Sequence, residues 1–295
     1  MKLKHPVRLL VFVVTALVVV WMCCNFIVAL QTGETFSFLG NGSSRKGIAE
    51  TFVVAGVDEG GYRTDLILLC QINRQKGEVH ILQIPRDTKV TNRRNDKKIN
   101  SAYYSGFEVM AQEIAQITGV TPKHYAMVDF SGFRDIVDAV GGVTIEVPFD
   151  MVYEDPVQDL VIDLKAGKQK LNGKEAEMYM RYRQGSDGNG YPEGDMGRLS
   201  AQQQLYSAVA DKMLSPGGIL RIPAVFSAVK KNTDTDYTGG QIFGLMIDVL
   251  KAGKDKITLH TLPGGGRYIG SGSYFVPNLA ETQALMQENF VLDGE

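Results

Sequence analysis

Apolar positions along the chain follow two unlike patterns. Residues 9–30 form one apolar run without a charged side chain. As a helix this run would reach roughly 33 Å, enough to cross a hydrocarbon core of about 30 Å. Beyond residue 50 the runs are short. Residues 51–57, 66–72 and 78–84 read as strands covered on both faces, because nearly continuous apolar stretches of that length leave no polar side for solvent. Phe107, Met110, Ala111, Ile114 and Ile117 recur at helical spacing, and Gly119 supplies a stop. Strands are further predicted over 125–128, 143–147 and 257–262, and helices over 131–140, 172–180, 199–214 and 279–290. Such alternation points to a layered α/β fold.

The two patterns divide the chain. Lys2, Lys4 and Arg8 precede the apolar run and no acid does, which places the N-terminus in the cytoplasm and the rest outside. Residues 1–30 are thus expected to be a cytoplasmic N-terminus and transmembrane anchor. A cleaved signal peptide is the rival, but the run exceeds the usual apolar segment and no small-x-small site follows it. Residues 31–50, with Gly33, Gly40, Gly42, Ser43, Ser44 and Gly47, read as a flexible linker, and residues 51–295 as one extracellular domain.

Charge and cysteine content narrow the function. Thirty-one basic side chains stand against 33 acidic ones, a net charge of -2, without the basic excess that nucleic-acid phosphates demand. Cys23 and Cys24 lie in the anchor, so Cys70 alone remains beyond it and is expected to be a small core residue. No nucleophile elbow, P-loop, HExxH or CxxC is present. Gly264-Gly265-Gly266 reads as a turn.

Polar groups instead gather at strand ends, where open α/β sheets place ligands. Asp58 follows the first strand, Arg63-Thr64-Asp65 opens the second, and the third runs into Arg86-Asp87. Arg181, Arg183 and Arg198 flank a glycine-rich stretch. Guanidinium forks suit phosphate oxygens and paired carboxylates suit Mg2+ or Mn2+, so the combination suggests pyrophosphate with a metal. Solvated turns are the plain alternative for each charge taken singly.

Several strings carry a family resemblance: Gly56-Val57-Asp58, Arg63-Thr64-Asp65, Ile84-Pro85-Arg86-Asp87-Thr88, Lys98-Ile99-Asn100-Ser101-Ala102-Tyr103, Val128-Asp129-Phe130-Ser131-Gly132-Phe133 and Tyr179-Met180-Arg181-Tyr182-Arg183. In this order they resemble the LytR-CpsA-Psr family of membrane-anchored cell-envelope transferases. The resemblance implies a three-layer α-β-α domain with a central mixed sheet, holding a polyprenyl pyrophosphate. It also implies transfer of a glycopolymer phosphate, such as teichoic acid or capsule, from that lipid to a peptidoglycan hydroxyl at the outer face of the cell membrane. Matched singly, Asp58 and Asp65 are metal-associated acids, and Arg86, Lys98, Arg181 and Arg183 pyrophosphate contacts. Gln202 matches a head-group contact. Arg63 and Arg198 join the substrate-binding set, and Asp87 is a candidate to orient or deprotonate the acceptor. Lipid pyrophosphatase and non-catalytic envelope-binding or regulatory roles are the alternatives, and the sequence leaves the polymer and the oligomeric state open.

Three departures from the family pattern stand out. The Asp58 to Asp65 connection is short, the 184–197 stretch is long and glycine-rich, as a lid would be, and Ala201 replaces a common second Arg. Ala201 is expected to face the same site as Arg198 and Gln202.

Overall fold

The computed structural model describes residues 48–57, 64–91, 97–156, 160–185, 188, 190–192 and 194–293. The apolar run at 9–30, most of the linker, Asp58 and Arg63 lie outside them. Among the described residues no helix is long and apolar enough to cross a membrane.

The strands, in chain order, are β1 (Ala49–Val57), β2 (Thr64–Asn73), β3 (Glu78–Gln83), β4 (His124–Val128), β5 (Val143–Val147) and β6 (Met151–Asp155), then β7 (Leu160–Leu164), β8 (Gly167–Leu171), β9 (Thr233–Thr235), β10 (Ile257–Thr261), β11 (Gly264–Ile269) and β12 (Gly272–Pro277). The helices are α1 (Phe107–Thr118), α2 (Phe130–Val140), α3 (Gly173–Arg181), α4 (Asp195–Leu214), the single turn α5 (Pro216–Ile219), α6 (Ile222–Asn232), α7 (Gly239–Ala252) and α8 (Leu279–Asn289).

The apolar runs form the centre of a six-stranded sheet of order β10-β3-β2-β1-β4-β9. It is mixed: β1 runs antiparallel to β2 but parallel to β4, and β3 antiparallel to β2 but parallel to β10. Side chains alternate across it. Val53 and Ala55 meet Met110 and Ile114 of α1 and Met286 of α8, whereas Phe52 packs with Phe226 of α6 and Ile242 of α7. Helices therefore cover both faces, giving three layers, as the two-sided apolar strands require. Gly119 ends α1 in the left-handed region at φ 76°, where a side chain would be strained. Cys70 is a core residue, and burial pushes its thiol up to about 12.

A second core forms where the β5–β8 and β6–β7 ribbons fold over α3 and α4. Gly173 lets α3 approach α2 closely, since a Cβ there would stand 2.3 Å from the Arg134 carbonyl oxygen. Asn172 and Glu175 close a capping box on the same turn. Ala201 belongs to this second core at 7% exposure, beside fully buried Leu205 one helical turn on. It does not face the site with Arg198 and Gln202 as expected, and its side chain packs into this core instead.

Two further differences have local causes. Gly264-Gly265-Gly266 opens strand β11 rather than forming a turn, and every residue of that strand is exposed, so no alternation marks it. Helix α4 starts at Asp195, ahead of the predicted 199, which places Arg198 inside the helix.

Candidate active site

β3 leaves the sheet through Ile84-Pro85, and Thr88 closes the turn that follows. Its N–H and Oγ1 both donate to the Pro85 carbonyl, at 3.0 and 2.5 Å. The chain here is then held from two sides. Phe275 N–H donates to the Asp87 carbonyl at 2.9 Å, and Lys89 N–H donates to that of Phe275 at 2.8 Å. On the other flank Ile99 N–H donates to the Thr88 carbonyl at 2.9 Å and Asn100 N–H to that of Arg86 at 3.1 Å. Backbone bonds on both flanks leave Arg86 and Asp87 little freedom beyond their side-chain torsions.

Those side chains join a chain of alternating charge. Arg86 Nη1 lies 2.6 Å from Asp65 Oδ1, Arg86 Nε lies 3.7 Å from Asp87 Oδ2, and Lys98 Nζ lies 2.8 Å from Asp87 Oδ1. Asp65 comes from the start of β2, Arg86 and Asp87 from the end of β3, and these antiparallel neighbours bring their ends together through the Leu68–Gln83 pairing. Lys98 also stands over the Tyr274 ring, 5.6 Å from its centroid.

Arg181 is the last residue of α3, and Tyr182 caps the helix in an extended conformation. The chain thus straightens between Arg181 and Arg183, and both side chains line one cavity. Arg181 is fixed twice, by Glu177 Oε1 at 2.9 Å and by the Phe130 ring at 4.6 Å. Glu177 is 5% exposed and takes Arg134 on its other oxygen at 2.7 Å. Two cations therefore balance one buried carboxylate, which favours leaving the pair intact.

The cavity, about 1530 Å³, collects most of the predicted residues. Asp65, Arg86, Asp87 and Lys98 line it together with Arg181, Arg183, Arg198 and Gln202. Another part of its wall is apolar: Val54, Leu68, Phe133, Ile136 and Met180. Gln202 is held between Gln83 at 3.5 Å and the Met180 carbonyl at 3.4 Å. Tyr206 also lines the cavity, and burial pushes its phenol above the ordinary range, so it stays protonated. Within the long 184–197 stretch, Tyr191 packs its ring against Phe149 at 5.3 Å and Tyr182 at 6.1 Å.

Sequence reasoning assigned no role to Asn100, Asp129 or Glu177. Asn100 lines the cavity, and among the described residues its buried Oδ1 has no hydrogen-bond partner. Such an atom is costly unless a ligand or water meets it. Asp129 caps α2 by accepting from Gly132 N–H at 2.7 Å and also lines the cavity. Neither position has a hydropathy signature; the Asp129 cap alone is readable, as an Asp before a helical run.

Asp65 offers a hard oxygen ligand of the kind Mg2+ takes. Among the described residues no group of three His, Cys, Asp or Glu could hold a metal. An ion at Asp65 would complete its shell with water or with the oxygens of an anionic ligand.

Known proteins resemble this chain in sequence and in fold. The chain is 29% identical over 240 residues to the polyisoprenyl-teichoic acid–peptidoglycan teichoic acid transferase TagV of Bacillus subtilis (strain 168), covering 77% of this chain and 60% of that protein. It thus spans less than two thirds of that relative. It is 30% identical over 220 residues to regulatory protein MsrR of Staphylococcus aureus (strain COL), covering 72% of this chain and 64% of that one. The crystal structure of B. subtilis TagV shares the fold with a TM-score of 0.67 at 27% identity, over 82% of this chain and 98% of that chain. The LytR_cpsA_psr family model matches residues 30–290. Sequence, fold and the ordered motifs agree, and the chain belongs to the LytR_cpsA_psr family.

Proposed function

We propose that the protein is a phosphotransferase that moves a glycopolymer phosphate from a polyprenyl-pyrophosphate lipid to a peptidoglycan hydroxyl. Residues 9–30 anchor it in the cell membrane, and the domain works at the outer face. One observation carries the reading: a single cavity joins an apolar wall, suited to a lipid chain, to a cluster of Arg86, Lys98, Arg181, Arg183 and Arg198, suited to a pyrophosphate. The teichoic acid transferase activity for which the TagV relative is named supports the same chemistry.

In the proposed reaction an acceptor hydroxyl oxygen attacks the phosphorus that carries the sugar. A new P–O bond forms and the bond from that phosphorus to the bridging oxygen breaks. The polyprenyl phosphate leaves with the bonding pair, and the hydroxyl proton passes to Asp87 or to solvent. Arg86, Arg181 and Arg183 stabilise the charge that grows on the leaving phosphate. Lys98 fixes the orientation of Asp87. A Mg2+ or Mn2+ ion held by Asp58 and Asp65 would add positive charge against the pyrophosphate.

The absence of an Arg at Ala201 does not favour a non-catalytic role, because this position faces the second core and not the cavity. The test follows a labelled polyprenyl-pyrophosphate glycan with and without peptidoglycan. Label on peptidoglycan is the expected result. Free phosphorylated glycan in both samples would make the protein a hydrolase, and unchanged donor would leave a binding or regulatory role.

A further inference from the structure

A second cavity, of about 290 Å³, lies against the same loop. It shares Asp65, Leu66, Arg86, Asp87, Arg198 and Gln202 with the large one. The rest of its wall includes Ile67 of β2, Ile84 and Pro85 after β3, Leu199 of α4, and the β11–β12 hairpin through Gly266, Ser273 and Tyr274. The apolar residues Val54, Leu68, Phe133 and Ile136 line only the large cavity, and the hairpin residues line only the small one. The shared charged groups therefore stand between the two.

This division matches what an in-line displacement needs, with the nucleophile arriving opposite the leaving group. If the leaving polyprenyl phosphate occupies the large cavity, the side across Arg86 and Asp87 from it is the small one. The small cavity is near the lower bound of about 300 Å³ for ligand pockets, far below the volume of its neighbour. At that size it admits a short segment and not a long lipid chain. Its hairpin is placed by the reactive loop itself, since β12 pairs with that loop through the bonds of Phe275 to Asp87 and Lys89. The hairpin presents the Tyr274 ring, laid over Gly272, where a Cβ would stand 2.7 Å from the ring, and the 83% exposed ring of Tyr268. Tyrosine combines an apolar face with a polar tip, which suits the faces and hydroxyls of sugar rings.

We propose that the small cavity and the β11–β12 hairpin form the acceptor subsite, which takes a glycan segment and delivers one of its hydroxyls to Asp87. This rests on the transferase reading above. In the transfer step the acceptor oxygen enters from this cavity, bonds to the phosphorus and gives its proton to Asp87, while the polyprenyl phosphate departs on the lipid side with the electron pair of the broken P–O bond.

Gly266 and Gly217 give a matched test. Neither has a positive φ, and a Cβ on either would meet no atom within 4 Å. Gly266 lines the small cavity, whereas Gly217 is exposed on α5 and lines neither cavity. With the full chain, a polyprenyl-pyrophosphate-linked glycan as donor and soluble peptidoglycan strands as acceptor probe, Gly266→Phe should raise the acceptor KM at least about tenfold without moving the donor Kd. Gly217→Phe should move neither. Should Gly266→Phe melt early, Ser273→Trp fills the same cavity from an exposed position on β12 and carries the same expectation. Equal acceptor KM in wild type and the cavity-filling variant, or a weakened donor Kd, would overturn the acceptor subsite while leaving the transferase reading intact. Wild-type protein that transfers nothing to peptidoglycan would overturn both.

Discussion

Arg86 and Asp65, 21 residues apart in sequence, hold each other at 2.6 Å across the ends of β3 and β2. The side chains are 25% and 42% exposed. Pairs so open to water contribute only about 0 to 1 kcal/mol, so a phosphate can displace the carboxylate at little cost. On the proposed reading the guanidinium then turns to the pyrophosphate, and Asp65 becomes available to a metal ion.

Replacing Arg86 tests that exchange. Arg86→Ala should lower turnover by about 10² to 10³-fold, the usual loss when one preorganised donor to a developing anion is removed. Arg86→Lys should recover only part of it, because a point charge cannot supply a planar fork. Steady-state rates with labelled donor check this. Wild-type rates in both variants would remove Arg86 from the reaction.

Metal dependence is the second expectation. A chelator should slow transfer, and Mg2+ or Mn2+ should restore it, as hard oxygen ligands favour these ions. Asp65→Asn and Asp58→Asn should raise the metal concentration needed for half-maximal rate. Donor binding measured in chelator separates the contributions: if the rate is indifferent to chelation, the carboxylates serve another purpose and the arginines alone hold the pyrophosphate.

Ala201→Arg should now act on stability. The position is 7% exposed within the second core, so the larger charged side chain should destabilise the fold by at least about 1 to 3 kcal/mol from overpacking alone. A clear fall in Tm with no gain in donor affinity is expected. A variant that melts like wild type and binds donor more tightly would show that α4 turns this face toward the cavity.

The histidine pair predicts how stability depends on pH. His80 and His260 stack on β3 and β10, with His80 Nδ1 3.2 Å from His260 Nε2. Burial is the main cause that holds both rings below the ordinary histidine range; Glu78 opposes it at His80, and the neighbouring ring adds to it at His260. The folded chain therefore binds fewer protons than the unfolded chain as pH falls through about 6.5, so stability rises with pH through that window and is lost on acidification. Melting curves should show Tm falling below about pH 6.5, with a shallower slope in His260→Gln. The same slope in the variant would assign the dependence to other groups.

Much of the architecture is legible in the sequence because a strand buried on both faces has to be apolar almost throughout. Hence the runs beginning at Thr51 and Leu66 marked the sheet's centre, with ends misplaced by only a few residues. The charges at those strand ends were legible as a group for a related reason: antiparallel neighbours necessarily bring Asp65 and Arg86 to one edge. The exposed β11 carries no burial pattern, so nothing local announced that its hairpin would wall a cavity beside Asp87. Asn100 and Glu177 look like surface residues until segments distant in sequence enclose them.

Ala201 shows the limit most sharply. Helical spacing correctly made it a neighbour of Arg198, but spacing measures angles about a helix axis, not what stands opposite each face. Only the packing of α4 between the cavity and the β5–β8 ribbon decided that Arg198 and Gln202 line the cavity while Ala201, with Leu205, meets the core.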